Sequence, residues 1–295
     1  MLKGADIMIK TNIFLKALSV LMAVVLAPFY ALTYGIDAIS LGKRCESSSA
    51  NIVGIGAYFR SQGMTSDENG NLYFSSKTTL IKTEPDGRTL INANLKAIPD
   101  ELSEECGIKH IGGISWYNGL IYAGMEDSKV WDHPIIGVFD SETLEIKEWF
   151  ELDSEVHTRG LPWVAVDKGS GTLYAFDHSK QPKEIIGYDI AGDMEMKIRT
   201  PLNDIIPSIQ GGEFLGGMLL VATNDETQAI YSVNVSDGSF SKLLDRNLTG
   251  GSEGEGMTIV DKDGKTCILA MDMGPLFINA NLRWYPVEEY IQTAK

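Results

Sequence analysis

The chain has 295 residues, 44% hydrophobic and 22% charged, a composition that fits one large all-β domain or two ordinary globular ones and contains no low-complexity tract. Its formal net charge of −15, with no cluster of Lys and Arg, argues against a nucleic-acid partner, because phosphate binding runs on gathered positive charge. An acidic surface suits a small molecule, a cation or a basic protein partner.

In chain order, Lys3, Lys10 and Lys16 precede the apolar run "ALSVLMAVVLA" (17–27). A positive segment followed by an apolar one predicts, over residues 1–35, either a secretory signal peptide cleaved near Ala31 or Gly35 or an uncleaved anchor. Both place residues 36–295 outside the cytoplasm, secreted or tethered to a membrane by the N-terminus. Cys45 and Cys106 sit in polar contexts, where an oxidising compartment allows a disulfide, whereas Cys267 lies in "TCILAM" and reads as a buried thiol.

Five segments share one grammar: a start with Gly or a small residue, an apolar strand, a turn with Gly, and a second apolar strand. They are "SQGMTSDENGNLYFSSK", "HIGGISWYNGLIYAGMED", "GLPWVAVDKGSGTLYAFDHS", "IQGGEFLGGMLLVATND" and "SEGEGMTIVDKDGKTCILAMD". Their second-strand anchors, Tyr73, Tyr122, Tyr174, Leu220 and Ile268, recur about every 50 residues. Further alternating strands lie between them, as in "PIIGVFDSETLEIKEWFEL" and "QAIYSVNVSDGSFSKLL". The expectation is an all-β, five-bladed β-propeller forming a single domain, its last blade completed by a strand near "NIVGIGAYF". Six blades, with one hidden in residues 36–60, are the alternative.

Loops that lead into the first strand of a blade and leave its second surround one central mouth. Counting four residues past each anchor assigns Lys77, Glu126, His178, Asn224 and Asp272 to it. The inner-strand starts add Gln62, His110, Trp163, Gln210 with Glu213, and Glu253 with Glu255. Several carboxylates in one place raise one another's pKa unless a cation intervenes. Glu126, Glu213, Asn224, Glu255 and Asp272 are therefore candidate metal ligands, for Ca²⁺ or alternatively Mg²⁺. Set against this is a plain ring of solvated loops. His110 and His178 are candidate bases, and Trp163 either walls a pocket or plugs the tunnel. "VDKDGK", with Asp261, Asp263 and Gly264, reads as a β-turn rather than a calcium loop, and Asn234 and Asn247 fit glycosylation sequons.

"HIGGIS", "LPWVAVD", "IQGGEF" and "EGEGM" resemble the strand starts of a family of secreted five-bladed propellers. "FRSQGMTSDENGNLYFSS" and "GGEFLGGMLLVATNDETQAIYSVNVSDGSF" are more distantly similar to the plant-type glutaminyl cyclases, which implies a central metal and tryptophans around a pocket, Trp163 being at a matching kind of position. Glu255, Asn224 and Asp272 are similar in residue type to the calcium ligands of the six-bladed gluconolactonase and paraoxonase group, which implies polarisation of an ester or lactone carbonyl. Two functions follow as expectations: a metal-assisted, hydrolase-like enzyme acting on an ester, lactone or phosphoester, or a noncatalytic ligand- or protein-binding scaffold.

Overall fold

The computed structural model describes residues 47–127, 130–176 and 182–291, with Leu21 and Val25. The signal or anchor expected over 1–35 lies outside the described residues apart from those two, as do Cys45 and His178. Among the described residues no helix is long and apolar enough to cross a membrane.

From residue 47 on, the first elements are β1 (Ser48–Val53) and a short helix α1 (Ile55–Tyr58). The first blade follows as β2 (Met64–Ser66), β3 (Leu72–Ser76), β4 (Thr79–Thr83) and β5 (Leu90–Asn94), and α2 (Asp100–Glu105) leads out of it. The second blade is β6 (His110–Tyr117), β7 (Leu120–Glu126), β8 (Ile135–Asp140) and β9 (Ile146–Glu151). The third is β10 (Val164–Asp167), β11 (Thr172–Ala175), β12 (Glu184–Asp189) and β13 (Glu195–Pro201). The fourth is β14 (Ile209–Leu215), β15 (Met218–Thr223), β16 (Ile230–Val233) and β17 (Phe240–Leu244). The last is β18 (Glu253–Lys262), β19 (Lys265–Met273) and β20 (Asn279–Pro286), with β1 as its outermost strand.

These are five four-stranded antiparallel sheets, so the ring has five blades and not six. The closing strand, Ser48–Val53, begins just before the expected stretch and shares Asn51–Val53 with it. Ser48 pairs with Trp284, Val53 pairs with Asn279, and Asn51 Nδ2 donates to Asn281 Oδ1 at 2.8 Å. Sharing a sheet between the first and last strands removes the free edge that an open ring would carry.

Local sequence dictates the hairpins. Asn118-Gly119, Gly216-Gly217 and Asp263-Gly264 each form a two-residue turn with both residues at positive φ, the backbone that matches the twist of the strands on either side. Asp263-Gly264 is thus the turn of a hairpin, as its sequence implies.

The core lies between blades rather than in one centre. Tyr73 and Leu80 meet Ile111, Ile114 and Ile121 between the first two blades. At the closing seam, Ile52 of β1 packs with Met64, Phe74, Leu269 and Leu282. Each large side chain buried in this way contributes roughly 1.5–3 kcal/mol.

Candidate functional site

The innermost strands all start on one face of the ring, and their hydrogen-bond register aligns the blades residue by residue. Thr65 pairs with Tyr73, Ser115 with Tyr122, Ala165 with Tyr174 and Glu213 with Leu220. In the last blade the matching pair is Thr258 with Leu269, since Leu269 faces the first blade as Tyr73 faces the second. The anchor there is Leu269, one residue beyond Ile268. Successive strand residues point to opposite faces, so that single step turns Asp272 away from the position it was expected to occupy. Asp272 instead lies fully buried, with Oδ1 accepting from Arg283 Nε at 2.6 Å and Oδ2 from Asn281 Nδ2 at 2.9 Å. The position four past Leu269 is Met273, also buried.

Three inner strands begin with an irregular step in register: between Ile111 and Ile114, between Ile209 and Gly211, and between Gly254 and Met257. These bulges let neighbouring inner strands touch backbone to backbone. Gly113 N donates to Pro162 O at 2.8 Å, and Gly256 N to Gln62 O at 2.9 Å. A Cβ added to Gly112 would run into Pro162 O, and one added to Gly256 into Met64 N. The glycines of "IGGIS" and "EGEGM" therefore serve the close approach of blades at the axis.

By this register Gln62, Gln210 and Glu255 hold equivalent places, each three residues before the Thr65, Glu213 and Thr258 layer. The half-buried His110 ring is clamped between two of the expected residues. Its Nε2 lies 2.7 Å from Gln62 Oε1, and its Nδ1 lies 3.3 Å from Glu126 Oε1. Nε2 faces the amide oxygen at hydrogen-bond distance, whereas Nδ1 is buried and makes no hydrogen bond among the described residues. Glu126 is buried, and its Oε2, which has no hydrogen-bond partner among the described residues, abuts Gly160.

Glu255 is 4% exposed and has no hydrogen-bond or ion-pair partner among the described residues. Burial raises its carboxyl well above the usual range, and the Glu253 charge adds to this, against the opposing pull of Arg246. Asn224 Oδ1 accepts from Gly254 N at 2.6 Å, which brings the fourth blade's contribution beside this carboxyl. Gln210 is half-buried at the same face, and Lys77 and Glu253 are exposed there.

Besides Asp272, two expected residues lie elsewhere. Glu213 sits one layer deeper in the tunnel, where Thr65 Oγ1 and Thr258 Oγ1 donate to its Oε2 at 3.4 and 3.3 Å and Phe214 N donates to Oε1 at 3.1 Å. Burial raises its pKa, with Lys168 opposing. Trp163 is fully buried between the third and fourth blades, stacked on Phe176 with ring centroids 5.2 Å apart. It is a core residue there rather than a wall of the mouth, because its register position shares a face with Ala165, Tyr174 and Phe176.

Arg246 carries no motif, and sequence reasoning passed over it. It is fully buried, and its guanidinium donates only to main-chain oxygens: Nε to Gln228 O at 2.5 Å, Nη2 to Thr223 O at 3.1 Å and Nη1 to Met271 O at 3.5 Å. A Cβ on Gly254 would strike this guanidinium and would also meet Asn224 Oδ1. A fixed positive charge therefore already stands beside Asn224 and Glu255. With Asp272 taken by Arg283 and Glu213 a layer below, the five expected donors as placed do not fit around one Ca²⁺. Among the described residues no three His, Cys, Asp or Glu side chains are grouped to hold a metal ion.

A cleft of about 890 Å³ opens on the face opposite the mouth, between the first and last blades, lined by Asp67, Asp86, Arg88, Asp261, Lys262 and Trp284. It shares no residue with the mouth.

No family model matches the chain, and no curated protein matches it. Among solved structures, the luciferin-regenerating enzyme is similar with a TM-score of 0.51 at 12% identity, covering 80% of this chain and 95% of that one. At that identity the likeness shows the propeller fold alone. Saccharomyces cerevisiae Sqt1 (TM-score 0.39, 11% identity) and Kuenenia stuttgartiensis hydrazine synthase (0.42, 14%) match 75% and 72% of this chain. The chain spans 56% and 64% of their respective lengths.

Proposed function

We propose that the chain binds a small molecule at the propeller mouth and acts on it as a hydrolase-like enzyme of the ester, lactone or phosphoester class. The observation that carries this reading is Glu255: a buried carboxyl with no partner among the described residues, beside the buried cation Arg246. Burial that raises the pKa of this carboxyl favours its protonated form, which donates a hydrogen bond to a carbonyl or leaving-group oxygen and passes it the proton as water adds and the ester bond breaks. Arg246 favours the negative charge that develops nearby, and Asn224 and Gln210 provide polar contacts that orient the substrate. His110, with both ring nitrogens turned into the protein, acts as a positioning residue that fixes Gln62.

That same feature of His110 favours a second reading, a noncatalytic ligand-binding propeller, since no histidine nitrogen among the described mouth residues is presented to a substrate. The full chain assayed with p-nitrophenyl acetate, a γ-lactone and p-nitrophenyl phosphate separates the two. Turnover that falls about 100-fold or more in kcat in Glu255→Gln, with little change in KM, supports the enzyme. An absence of turnover on all three, with and without added calcium, removes it in favour of the binding module. The calcium arm, paired with chelator, also tests the metal expected from sequence: activity and melting temperature that follow calcium would restore it.

A further inference from the structure

Among the described residues from 47 to 291 the exposed large hydrophobic side chains are distributed unevenly. Tyr58, Leu95, Val130, Ile205, Leu276 and Phe277 all lie in segments on the mouth face. The remaining three, Ile91, Trp149 and Met196, sit on outermost strands. None occupies a turn of the opposite face. Solvent penalises such exposure, and its concentration on one face marks a surface that meets something apolar.

The densest part is a lip at the closing seam. Leu276 is 83% exposed and Phe277 51%, and both hold the left-handed backbone, with φ of +62° and +56°, that non-glycine residues avoid. Gly54 N donates to Ile278 O at 3.1 Å, which ties this loop to α1, where Tyr58 is 51% exposed. The lip stands beside the start of β18, the strand that carries Glu255. Glu253 pairs in register with Met273, three residues before Leu276, and a Cβ on Gly251 would touch Pro275 at 3.9 Å. An apolar shelf thus stands at the entry of the strand whose buried carboxyl, Glu255, is without a partner among the described residues.

We infer that the mouth takes an uncharged amphiphile of the acyl- or aryl-ester kind, its apolar end resting on Tyr58, Leu276 and Phe277 and its polar end at Glu255; this rests on the reading of the mouth as a small-molecule site. A membrane fits less well, since the exposed Glu253 and a net charge of −15 repel anionic lipid. A protein partner fits less well too, because the apolar side chains are set in separate loops and do not form one broad continuous face.

The test uses the full chain and the neutral probe N-phenyl-1-naphthylamine, with the double variant Leu276→Ser and Phe277→Ser and, as control, Trp149→Ser on the outside of the second blade. Saturable fluorescence enhancement is expected in the wild type and the control, weakened about tenfold or more in the lip variant, as befits two lost apolar contacts. For esters, kcat/KM should climb from p-nitrophenyl acetate to octanoate in the wild type and lose that climb in the lip variant. Probe binding that is absent in the wild type, or unchanged in a lip variant with wild-type melting, overturns the inference. So does light scattering in which the lip variant turns a dimer into a monomer, because the lip would then be a contact between copies. Lip-dependent probe binding without ester turnover keeps the amphiphile and discards the hydrolase. Turnover indifferent to chain length, with lip-independent binding, does the reverse.

Discussion

Arg283 Nε donates to Asp272 Oδ1 at 2.6 Å, and both side chains are buried within the last blade. This pair joins β19 to β20 and takes the carboxylate expected at the mouth. Removing one member of a buried pair leaves the other charge without its counterpart, at a cost of about 3–5 kcal/mol. Asp272→Asn is therefore expected to destabilise the chain by that amount, read as a lower urea midpoint, with loss of ligand binding only where unfolding accounts for it.

Glu255 sets a pH dependence of opposite sense to that of a paired carboxylate. Burial raises its pKa well above 4.5, so from pH 4.5 upward the folded state holds a proton that the unfolded state has released. Stability is fully present below that pH and falls by about 1.4 kcal/mol per pH unit as far as the folded pKa. Glu255→Gln removes this loss. Melting temperatures of the variant and the wild type should coincide near pH 4 and diverge in the variant's favour by pH 7; a variant less stable at pH 7 would contradict the assignment.

His157 contributes an acid limb. Its ring is fully buried, with Nε2 2.6 Å from the Tyr188 hydroxyl, and burial pushes its pKa down from 6.5 to about 4, with Asp153 opposing. Between those values the unfolded state binds the proton and the folded state does not, so stability is present above pH 6.5 and lost as pH falls toward 4. The loss amounts to about 3 kcal/mol. In His157→Asn the decline in unfolding free energy from pH 6.5 to 4 should shrink by about that much.

Gly112 marks where the second and third blades meet. A side chain there has Pro162 O in its way, and backbone on both sides leaves little to yield. Gly112→Ala should cost about 1–3 kcal/mol in chemical unfolding. Gly119→Ala, where an added Cβ has nothing within 4 Å but φ is +78°, isolates the cost of backbone conformation alone.

The fold was readable because its signals are local and repeated. Each blade announces itself through apolar strands, Gly-containing turns and a recurring Leu-Tyr or Ile-Tyr anchor, and even the closing strand could be located from the stretch before the first repeat. The candidate site was legible in part. Gln62, His110, Glu126, Asn224 and Glu255 do come to the mouth face, since strand-start and strand-end positions follow from the repeat itself. The last blade misled because "CILAM" is buried on both faces and lacks the alternation that fixes register, so Ile268 and Leu269 are indistinguishable in sequence.

By itself the sequence determined the ring: periodic strands that must bury both faces have few ways to do so, and the chain carried enough copies to close. Which polar side chains then share an environment was decided only in three dimensions. Arg246 beside Asn224, Arg283 on Asp272 and the lip of Leu276 and Phe277 beside the start of β18 all join residues whose neighbourhood depends on a bulge or on a one-residue step in strand register, and neither leaves a mark in composition or spacing.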